Sequence, residues 1–298
     1  MKKKKIIIIA GPTASGKTDI AIALAQQFNT EIISADSRQC YKELHIGVAK
    51  PSPEQLSAVH HYFINSHSIN GYISAADYES YALQAAEKIF QQNDVAVMVG
   101  GTGLYIKAFC EGLDDIPPIN PAIKKTIAEN YKDKGMSWLR ETVSAEDPKY
   151  FEEGEIQNPH RLIRALEVKR STGISILTHQ TQNKKHRAFE ITRLALEIPR
   201  AVLYERINKR VDTMISEGLQ EEAYSLLPYK ELNALQTVGY RELFDHFENH
   251  ISLDRAIELI KQNTRNYAKR QVTWFKKEGF TWINPDNFSP TVLTDLKD

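Results

Sequence analysis

An eight-residue motif near the amino terminus carries the strongest chemical signal in the sequence. Residues 11–18 read GPTASGKT and match the phosphate-binding pattern G-x-x-x-x-G-K-[S/T]. The glycines of such a loop let backbone N–H groups turn inward around phosphate oxygens, and the lysine adds a positive charge. The threonine hydroxyl can bind Mg²⁺, which makes Thr18 the candidate metal ligand. The residues predicted to bind phosphate are Gly11, Pro12, Thr13, Ala14, Ser15, Gly16, Lys17 and Thr18.

Two further segments follow short apolar runs and carry side chains suited to catalysis. Asp36 stands in SADSRQCY, residues 34–41, and its carboxylate is a candidate metal ligand, substrate anchor or general base. Thr102 stands in GGTGLY, residues 100–105, where the glycines make either a simple turn or a ligand-binding loop.

The elements around these segments predict an α/β fold. Apolar runs at residues 5–10, 31–35 and 95–99 are typical of buried parallel strands, and residues 16–28 and 75–90 have helical spacing. Alternating strands and helices predict right-handed crossovers and a parallel sheet flanked by helices. Ligands of such sheets bind outside the carboxyl ends of the strands. The P-loop, Asp36 and Thr102 are therefore predicted to converge on one site.

The pattern changes after a proline-rich stretch at residues 114–121. Residues up to 185 have helical spacing with no clear strand, and strand character returns at residues 190–198. A helix from 200 to 214, a long helix at 253–277 and a short strand at 280–283 follow. We predict a discontinuous P-loop core, residues 1–114 and 186–298, with a mostly helical inserted domain at residues 115–185.

Composition narrows the class of protein. The 38 basic and 38 acidic side chains balance, which argues against coating nucleic acid through bulk charge but leaves local patches open. Two cysteines without CxxC spacing predict neither a disulfide framework nor a zinc site. The apolar run after the amino-terminal lysines is too short for a secretory signal, and no run approaches the length of a membrane helix. We therefore expect a cytoplasmic protein that does not associate with membranes.

Basic residues are concentrated in three segments. Residues 255–277 contain seven lysines and arginines with one glutamate, interleaved with Tyr267, Trp274 and Phe275. Smaller clusters occur at residues 161–170 and 206–210. Arginines alternating with aromatic residues suit phosphate contacts and base stacking on RNA. Two function classes remain at this point: a small-molecule kinase, and an enzyme that acts on a nucleic acid and uses the P-loop to hold a diphosphate. The spread of the basic segments favours the second, and a nucleotide-dependent switch has weaker support.

Six motifs in a fixed order make the sequence resemble a known family. They are GPTASGKT at 11–18, SADSRQCYKELHIGVAKP at 34–51, GGTGLY at 100–105, NPHRLIRALE at 158–167, VGYRE at 238–242 and AKRQVTWFKK at 268–277. Over nearly its whole length the chain resembles the bacterial tRNA dimethylallyltransferases, also called tRNA isopentenyltransferases. The resemblance implies transfer of a dimethylallyl group from dimethylallyl diphosphate to the exocyclic amine of the adenosine 3′ to the anticodon, with release of diphosphate. It also implies Mg²⁺ as cofactor, the tRNA anticodon stem-loop as partner, and a P-loop that holds the donor diphosphate.

The resemblance assigns roles to individual residues. Asp36 matches the general base, Thr102 a residue that lines the channel between donor and adenine, and Arg210 an arginine that stabilises the departing diphosphate. We expect a monomer. The residues matched to tRNA contacts are Asp36, Ser37, Arg38, Gln39, His160, Arg161, Leu162, Ile163, Arg164, Gln236, Thr237, Val238, Gly239, Tyr240, Arg241, Lys269, Arg270, Gln271, Trp274 and Lys276.

Overall fold

The computed structural model describes residues 3–181 and 183–288, which fall into two compact units. The first unit comprises Met1–Glu111 and His186–Asp298, and the second comprises Gly112–Lys185. The first boundary lies three residues before the position predicted from the sequence, between Glu111 and Gly112 rather than between Asp114 and Asp115.

A parallel sheet forms the centre of the first unit. Its order is β3-β2-β4-β1-β5-β6, and each pairing among the described residues is parallel. The strands are Lys5–Ala10 (β1), Ile32–Ala35 (β2), His61–Tyr62 (β3), Val95–Gly100 (β4), Glu190–Leu196 (β5) and Thr281–Ile283 (β6). The five strands predicted from the sequence are confirmed to within two residues at each end, whereas the two-residue β3 was not predicted. The predicted fold class, a parallel sheet flanked by helices, is confirmed.

Helices cover both faces of this sheet. On one face, Ile7 and Ile9 of β1 pack with Leu24 in a cluster that contains the first helix. On the other face, Ile8 packs in a larger cluster with Phe109 and residues of several later helices. Because both faces are buried, β1 is apolar at every position from Ile6 to Ala10, as its sequence predicted. The helices of this unit are Lys17–Gln27 (α1), Pro53–Ala58 (α2), Ala75–Phe90 (α3), Gly103–Glu111 (α4), Arg200–Ser216 (α9), Leu219–Ser225 (α10), Tyr240–Phe247 (α11) and Leu253–Lys277 (α12).

The register of the sheet brings three strand ends level. Ala10, at the end of β1, pairs with Gly100 at the end of β4, and Gly100 pairs with Ala35 at the end of β2. Each of the three loops begins at the next residue of the chain. The predicted convergence of the P-loop, the Asp36 segment and the Thr102 segment at one edge of the sheet is therefore confirmed.

The second unit is helical and has a core of its own. Its helices are Pro121–Glu146 (α5), interrupted at Gly135, Pro148–Glu153 (α6), Pro159–Thr172 (α7) and Ile176–His179 (α8). Leu139 and Val143 of α5 pack against Leu162 and Leu166 of α7 in one apolar cluster. The described part of this unit contains no strand.

None of the helices among the described residues is both long enough and apolar enough to span a membrane.

Candidate active site

The P-loop has the backbone geometry of an anion cradle. Ala14 and Gly16 adopt positive φ angles of 63° and 83°, which turn the chain sharply between β1 and α1. Gly16 immediately precedes α1, so the loop ends at the positive end of a helix. The hydroxyl of Ser15 is buried and has no hydrogen-bond partner among the described residues. An unpaired buried hydroxyl inside such a loop is suited to a bound anion.

Two cations withdrawn from solvent surround this loop. The ammonium group of Lys17 donates a hydrogen bond to the Pro12 carbonyl at 3.2 Å. Burial lowers the pKa of Lys17 to about 8; the Asp36 carboxylate partly offsets this, and the positive charge of Arg210 adds to it. Arg210, on α9, contacts the Thr13 hydroxyl through Nη1 at 3.4 Å, and burial also lowers the pKa of Arg210. Two desolvated positive charges beside inward-facing N–H groups favour a polyanionic ligand.

Asp36 is fixed directly after β2. Its Oδ1 accepts hydrogen bonds from the backbone N–H groups of Arg38 and Gln39, at 2.9 and 3.2 Å. These bonds orient the carboxylate and leave Oδ2 without a hydrogen bond from the part of the chain that the structure describes. An oriented carboxylate with one oxygen available can accept a proton from a substrate.

Thr102 is held against the Asp36 segment. Its backbone N–H donates to the Ala35 carbonyl at 3.1 Å, and its Oγ1 accepts from the Ser37 N–H at 3.1 Å. The hydroxyl of Tyr267, on α12, lies near Thr102. Burial of this hydroxyl, with the Asp36 carboxylate nearby, raises the pKa of Tyr267 to about 12. Tyr267 as a whole residue is nevertheless 37% exposed, so part of it faces solvent.

The glycines beside Thr102 allow α12 to approach closely. A Cβ atom added at Gly101 would lie 2.2 Å from Nε2 of Gln271, and one added at Gly103 would lie 2.2 Å from the Trp274 ring. A side chain at either position would displace the Gln271 amide or the Trp274 ring. Close packing against α12 accounts for Gly101 and Gly103, which is neither of the two interpretations left open by the sequence.

The predicted tRNA-contacting residues divide into exposed and buried sets. Exposed side chains occur at His160, Arg161, Arg164, Gln236, Arg241, Lys269, Arg270 and Lys276. Half-buried ones occur at Asp36, Ser37, Arg38, Gln39, Ile163, Thr237, Val238 and Trp274.

Three members of the predicted tRNA-contacting set are corrected by their burial. Leu162 is fully buried in the core of the helical unit. Tyr240 is fully buried, and its hydroxyl donates to Glu222 at 2.6 Å. Gln271 is 6% exposed and holds two loops inside the first unit. Leu162 and Tyr240 have no accessible surface and Gln271 has little, so these side chains are not available for contact with RNA in this conformation. Gly239 is also buried and offers no side chain.

Tyr267 was noted in the sequence only as part of a basic and aromatic segment and was not assigned to the site. Tyr267, Gln271 and Trp274 are spaced i, i+4 and i+7 along α12, the spacing of residues on one helix face. From this spacing, the position of Tyr267 on the same helix face as Gln271 and Trp274 could have been predicted. The helix face was visible in the sequence, but the loop against which it packs was not.

The geometry of this edge of the sheet indicates a class of protein. A P-loop, an oriented carboxylate and a threonine loop at the carboxyl edge of a parallel sheet are typical of α/β enzymes that act on phosphate-bearing substrates.

Comparison with known proteins identifies the family within that class. The model of the IPP transferase family matches residues 39–278. The chain is 47% identical over 289 residues to the tRNA dimethylallyltransferase of Christiangramia forsetii, covering 97% of this chain and 96% of that protein. The chain therefore belongs to the IPP transferase family.

Solved structures give the same result. The tRNA isopentenylpyrophosphate transferase of Bacillus halodurans is similar with a TM-score of 0.71 and 33% identity, over 99% of this chain and 95% of that one. A eukaryotic dimethylallyltransferase described as acting on tRNA is similar with a TM-score of 0.76 and 26% identity, over 94% of this chain and 74% of that one.

Proposed function

We propose that this protein is a tRNA dimethylallyltransferase. It transfers a dimethylallyl group from dimethylallyl diphosphate to the exocyclic amine of the adenosine 3′ to the tRNA anticodon, and it releases diphosphate. The observation that carries the proposal is the level register of Ala10, Gly100 and Ala35, which places an anion cradle, a carboxylate and a threonine loop side by side. A transfer reaction needs this juxtaposition of a leaving-group site and an acceptor site.

The donor end of the reaction is electrostatic. An allylic diphosphate loses its leaving group readily because the resulting cation is delocalised, so the enzyme chiefly has to stabilise the departing diphosphate. Lys17, Arg210 and the loop N–H groups are positioned for this before the substrate arrives. Because the Lys17 and Arg210 charges are already withdrawn from water, they lose little solvation when the diphosphate binds.

Mg²⁺ fits this donor site. Magnesium usually binds one or two protein oxygens and completes its shell with substrate phosphates and water. The Thr18 hydroxyl, in the first turn of α1 beside Lys17, is the protein ligand that the P-loop offers. The buried hydroxyl of Ser15 has no hydrogen-bond partner among the described residues, so it is available to a bound ligand. When bound, the ion adds positive charge to the leaving diphosphate.

The acceptor end depends on Asp36 and Thr102. An exocyclic adenine amine is a weak nucleophile, so it has to be held in line and relieved of a proton. As the new C–N bond forms and the C–O bond of the donor breaks, the electron pair leaves with the diphosphate and Asp36 takes the amine proton. The fixed Oδ1 bonds hold this carboxylate in place, and the Thr102 hydroxyl lies on the adjacent loop. The adenosine must leave its base stack to reach the site, at a cost of a few kcal/mol.

The tRNA partner accounts for exposed basic residues that are not neutralised by an acidic side chain in the part of the chain that the structure describes. Lys269, Arg270 and Lys276 on α12 and Arg161 on α7 are exposed and form no ion pair with the described residues. Such residues suit contacts with the phosphate backbone, which contribute most of the affinity of nucleic-acid binding.

The proposed function is tested by supplying labelled dimethylallyl diphosphate and unmodified tRNA, and then digesting the tRNA to nucleosides. Label in the adenosine 3′ to the anticodon supports the proposal. A parallel reaction with γ-labelled ATP and nucleotide acceptors tests the kinase alternative. Transfer of phosphate in that reaction, without prenyl transfer to tRNA, would overturn the proposal.

A further inference from the structure

We propose that Gln271 is a positioning residue that couples the donor loop to the acceptor loop. The inference rests on the proposed function, since it states how the two substrates of that reaction are held at a fixed distance. It replaces the tRNA contact predicted for Gln271 from the sequence.

Both ends of the Gln271 amide are used, one on each loop. Its Oε1 accepts a hydrogen bond from the backbone N–H of Thr13 in the P-loop, at 2.9 Å. Its Nε2 donates to the backbone carbonyl of Gly101, at 2.9 Å. The side chain is 6% exposed, so these two bonds form away from competing water. A single amide therefore bridges two loops that begin at paired, level strand ends.

Each end of the bridge leads directly to a residue of the proposed reaction. Thr13 contacts the Arg210 guanidinium through its hydroxyl, and Arg210 faces the leaving diphosphate. Gly101 is bonded along the chain to Thr102, whose Oγ1 accepts from the Ser37 N–H next to Asp36. Gln271 is thus a side-chain link between the backbone of the P-loop and the backbone of the Thr102 loop.

The bridge requires the length and polarity of glutamine. It needs an acceptor and a donor at the end of one side chain, which glutamine supplies and a carboxylate does not. Asparagine is one methylene shorter. The fit at Gly101 leaves no slack, because an added Cβ would lie 2.2 Å from Nε2. A bridge of fixed length suits the alignment of a nucleophile with a leaving group, where a displacement of about 1 Å can cost about 100-fold in rate.

The first test replaces the amide without emptying its space. Gln271→Met keeps the length of the side chain and removes both hydrogen bonds. Thr30→Val is the matched control, because it removes another buried hydrogen bond, from Thr30 Oγ1 to the Val95 carbonyl at 2.5 Å, at the opposite end of β4. The measurements are single-turnover transfer at saturating substrates, the Kd of pyrophosphate with Mg²⁺, and the Kd of tRNA. We expect Gln271→Met to lower the single-turnover rate by about 10- to 100-fold while both Kd values change by less than about threefold. Thr30→Val is expected to match the wild type in all three.

A second readout does not depend on transfer. Hydrogen exchange measured by mass spectrometry, with and without pyrophosphate and Mg²⁺, reports the protection of residues 11–18 and 100–105 separately. In the wild type and in Thr30→Val, pyrophosphate is expected to protect both segments, because the bridge conveys ordering from one loop to the other. In Gln271→Met, protection is expected to remain in the P-loop and to be lost in residues 100–105.

Two further variants cover the case in which Gln271→Met does not fold. Gln271→Glu preserves shape and the acceptor for Thr13 but cannot donate to Gly101 when ionised. Gly101→Ala attacks the bridge from the other loop, since its methyl group displaces Nε2. Both are expected to show the same uncoupled exchange pattern.

The outcomes separate this inference from the proposed function. If the wild type transfers no label to tRNA, the proposed function fails, and the exchange pattern alone decides the role of Gln271. If the wild type transfers label and the Gln271 variants match its rate, or if residues 100–105 stay protected in them, Gln271 does not couple the loops. A fall in rate that is matched by an equal weakening of pyrophosphate binding would also overturn the inference, since it would make Gln271 a binding residue.

Discussion

Single residues of the candidate site carry opposite charges, to which the proposed reaction gives different roles. Lys17 and Arg210 are cations withdrawn from solvent at the P-loop, while Asp36 is a carboxylate on the neighbouring loop. The cations are suited to the diphosphate that leaves, and the carboxylate to the proton released by the amine that attacks. Substitutions of Asp36, Arg210 and Lys17 test these charges one at a time.

Asp36→Asn is expected to abolish prenyl transfer while tRNA affinity changes by no more than a few-fold. The amide keeps the shape and can still accept from the Arg38 and Gln39 N–H groups, but it cannot take a proton. Single-turnover transfer and tRNA filter binding measure the two quantities. Transfer at more than a few per cent of the wild-type rate would remove Asp36 from the role of base.

Arg210→Ala is expected to cost about 2–4 kcal/mol of transition-state stabilisation, as the loss of other preorganised charge contacts does. Steady-state kcat/KM for dimethylallyl diphosphate gives this quantity. Arg206→Ala is the control, because Arg206 is an exposed arginine one turn earlier on α9. Equal rates for the two variants would place Arg210 outside the diphosphate site.

Pyrophosphate binding is expected to weaken as the pH rises above about 8. Burial lowers the pKa of Lys17 to about 8, so its ammonium is charged below this pH and becomes neutral above it. A bound anion favours the charged form, and binding above pH 8 therefore takes up a proton, with a loss of up to about tenfold in affinity per pH unit. Calorimetry between pH 7 and 9.5 measures the dependence. Lys17→Arg stays charged throughout and should flatten it; the same slope in both proteins would contradict the assignment.

At the scale of helices, strands and loops, some contacts of the candidate site could be predicted from the sequence and others could not. The P-loop was predictable because its residues are adjacent, and the level strand ends were predictable because parallel strands share a direction. The approach of Arg210 to Thr13 was predictable only through resemblance, because it joins residues 197 positions apart. The role of Gln271 escaped prediction for the same reason, since its partners lie 258 and 170 positions away.

Helix α12 shows why a charge pattern alone misassigns residues. The sequence predicted one basic segment from 255 to 277. In the structure, Lys261 pairs with Asp212 at 2.5 Å and Arg265 donates to Asn208 at 2.6 Å, which ties the first half of α12 to α9. Farther along α12, Lys269 and Arg270 are exposed. Exposed cations and structurally engaged cations look alike in the sequence, because the partners of the engaged ones, Asp212 and Asn208, lie on another helix.

Lys269→Ala is expected to weaken tRNA binding and to lower the salt dependence of log Kd by about one unit of slope, as the loss of one phosphate contact does. Its effect on pyrophosphate affinity should be negligible. Lys261→Ala, on the same helix, should leave the slope unchanged because its ammonium is engaged by Asp212. Titrations of tRNA from low to high salt measure both slopes. A common slope for the two variants and the wild type would show that α12 does not contact tRNA phosphates.

The chain is divided between a core that contains the candidate site and a helical unit inserted into its sequence. The inserted unit has its own apolar cluster, and its chain leaves the core after Glu111 and returns at His186. Arg187 donates through Nε to the Phe109 carbonyl at 2.8 Å, so the chain leaves the core and returns to it at neighbouring positions. The sequence predicted this organisation from a proline-rich stretch and a change of periodicity, with a boundary that differs by three residues.

Replacement of residues 112–185 by a short glycine-serine linker is expected to leave a folded core that binds pyrophosphate with wild-type affinity. Its tRNA affinity should fall by about tenfold or more, because the contacts proposed for Arg161 and its neighbours are removed. Circular dichroism, calorimetry and tRNA filter binding test the three statements. Loss of pyrophosphate binding in a folded core would contradict the division, and unchanged tRNA affinity would contradict the role of the inserted unit. Light scattering of the full chain tests the predicted monomer.

In the proposed reaction the P-loop holds the diphosphate of a prenyl donor while a carbon group moves to tRNA. The most direct measurement uses dimethylallyl diphosphate labelled in its carbon skeleton, unmodified tRNA and wild-type protein, with Asp36→Asn as the inactive control. We expect label in the adenosine 3′ to the anticodon, equimolar release of diphosphate, and no transfer by Asp36→Asn. Unlabelled tRNA, together with phosphate transfer from ATP to a small acceptor, would contradict the proposed reaction.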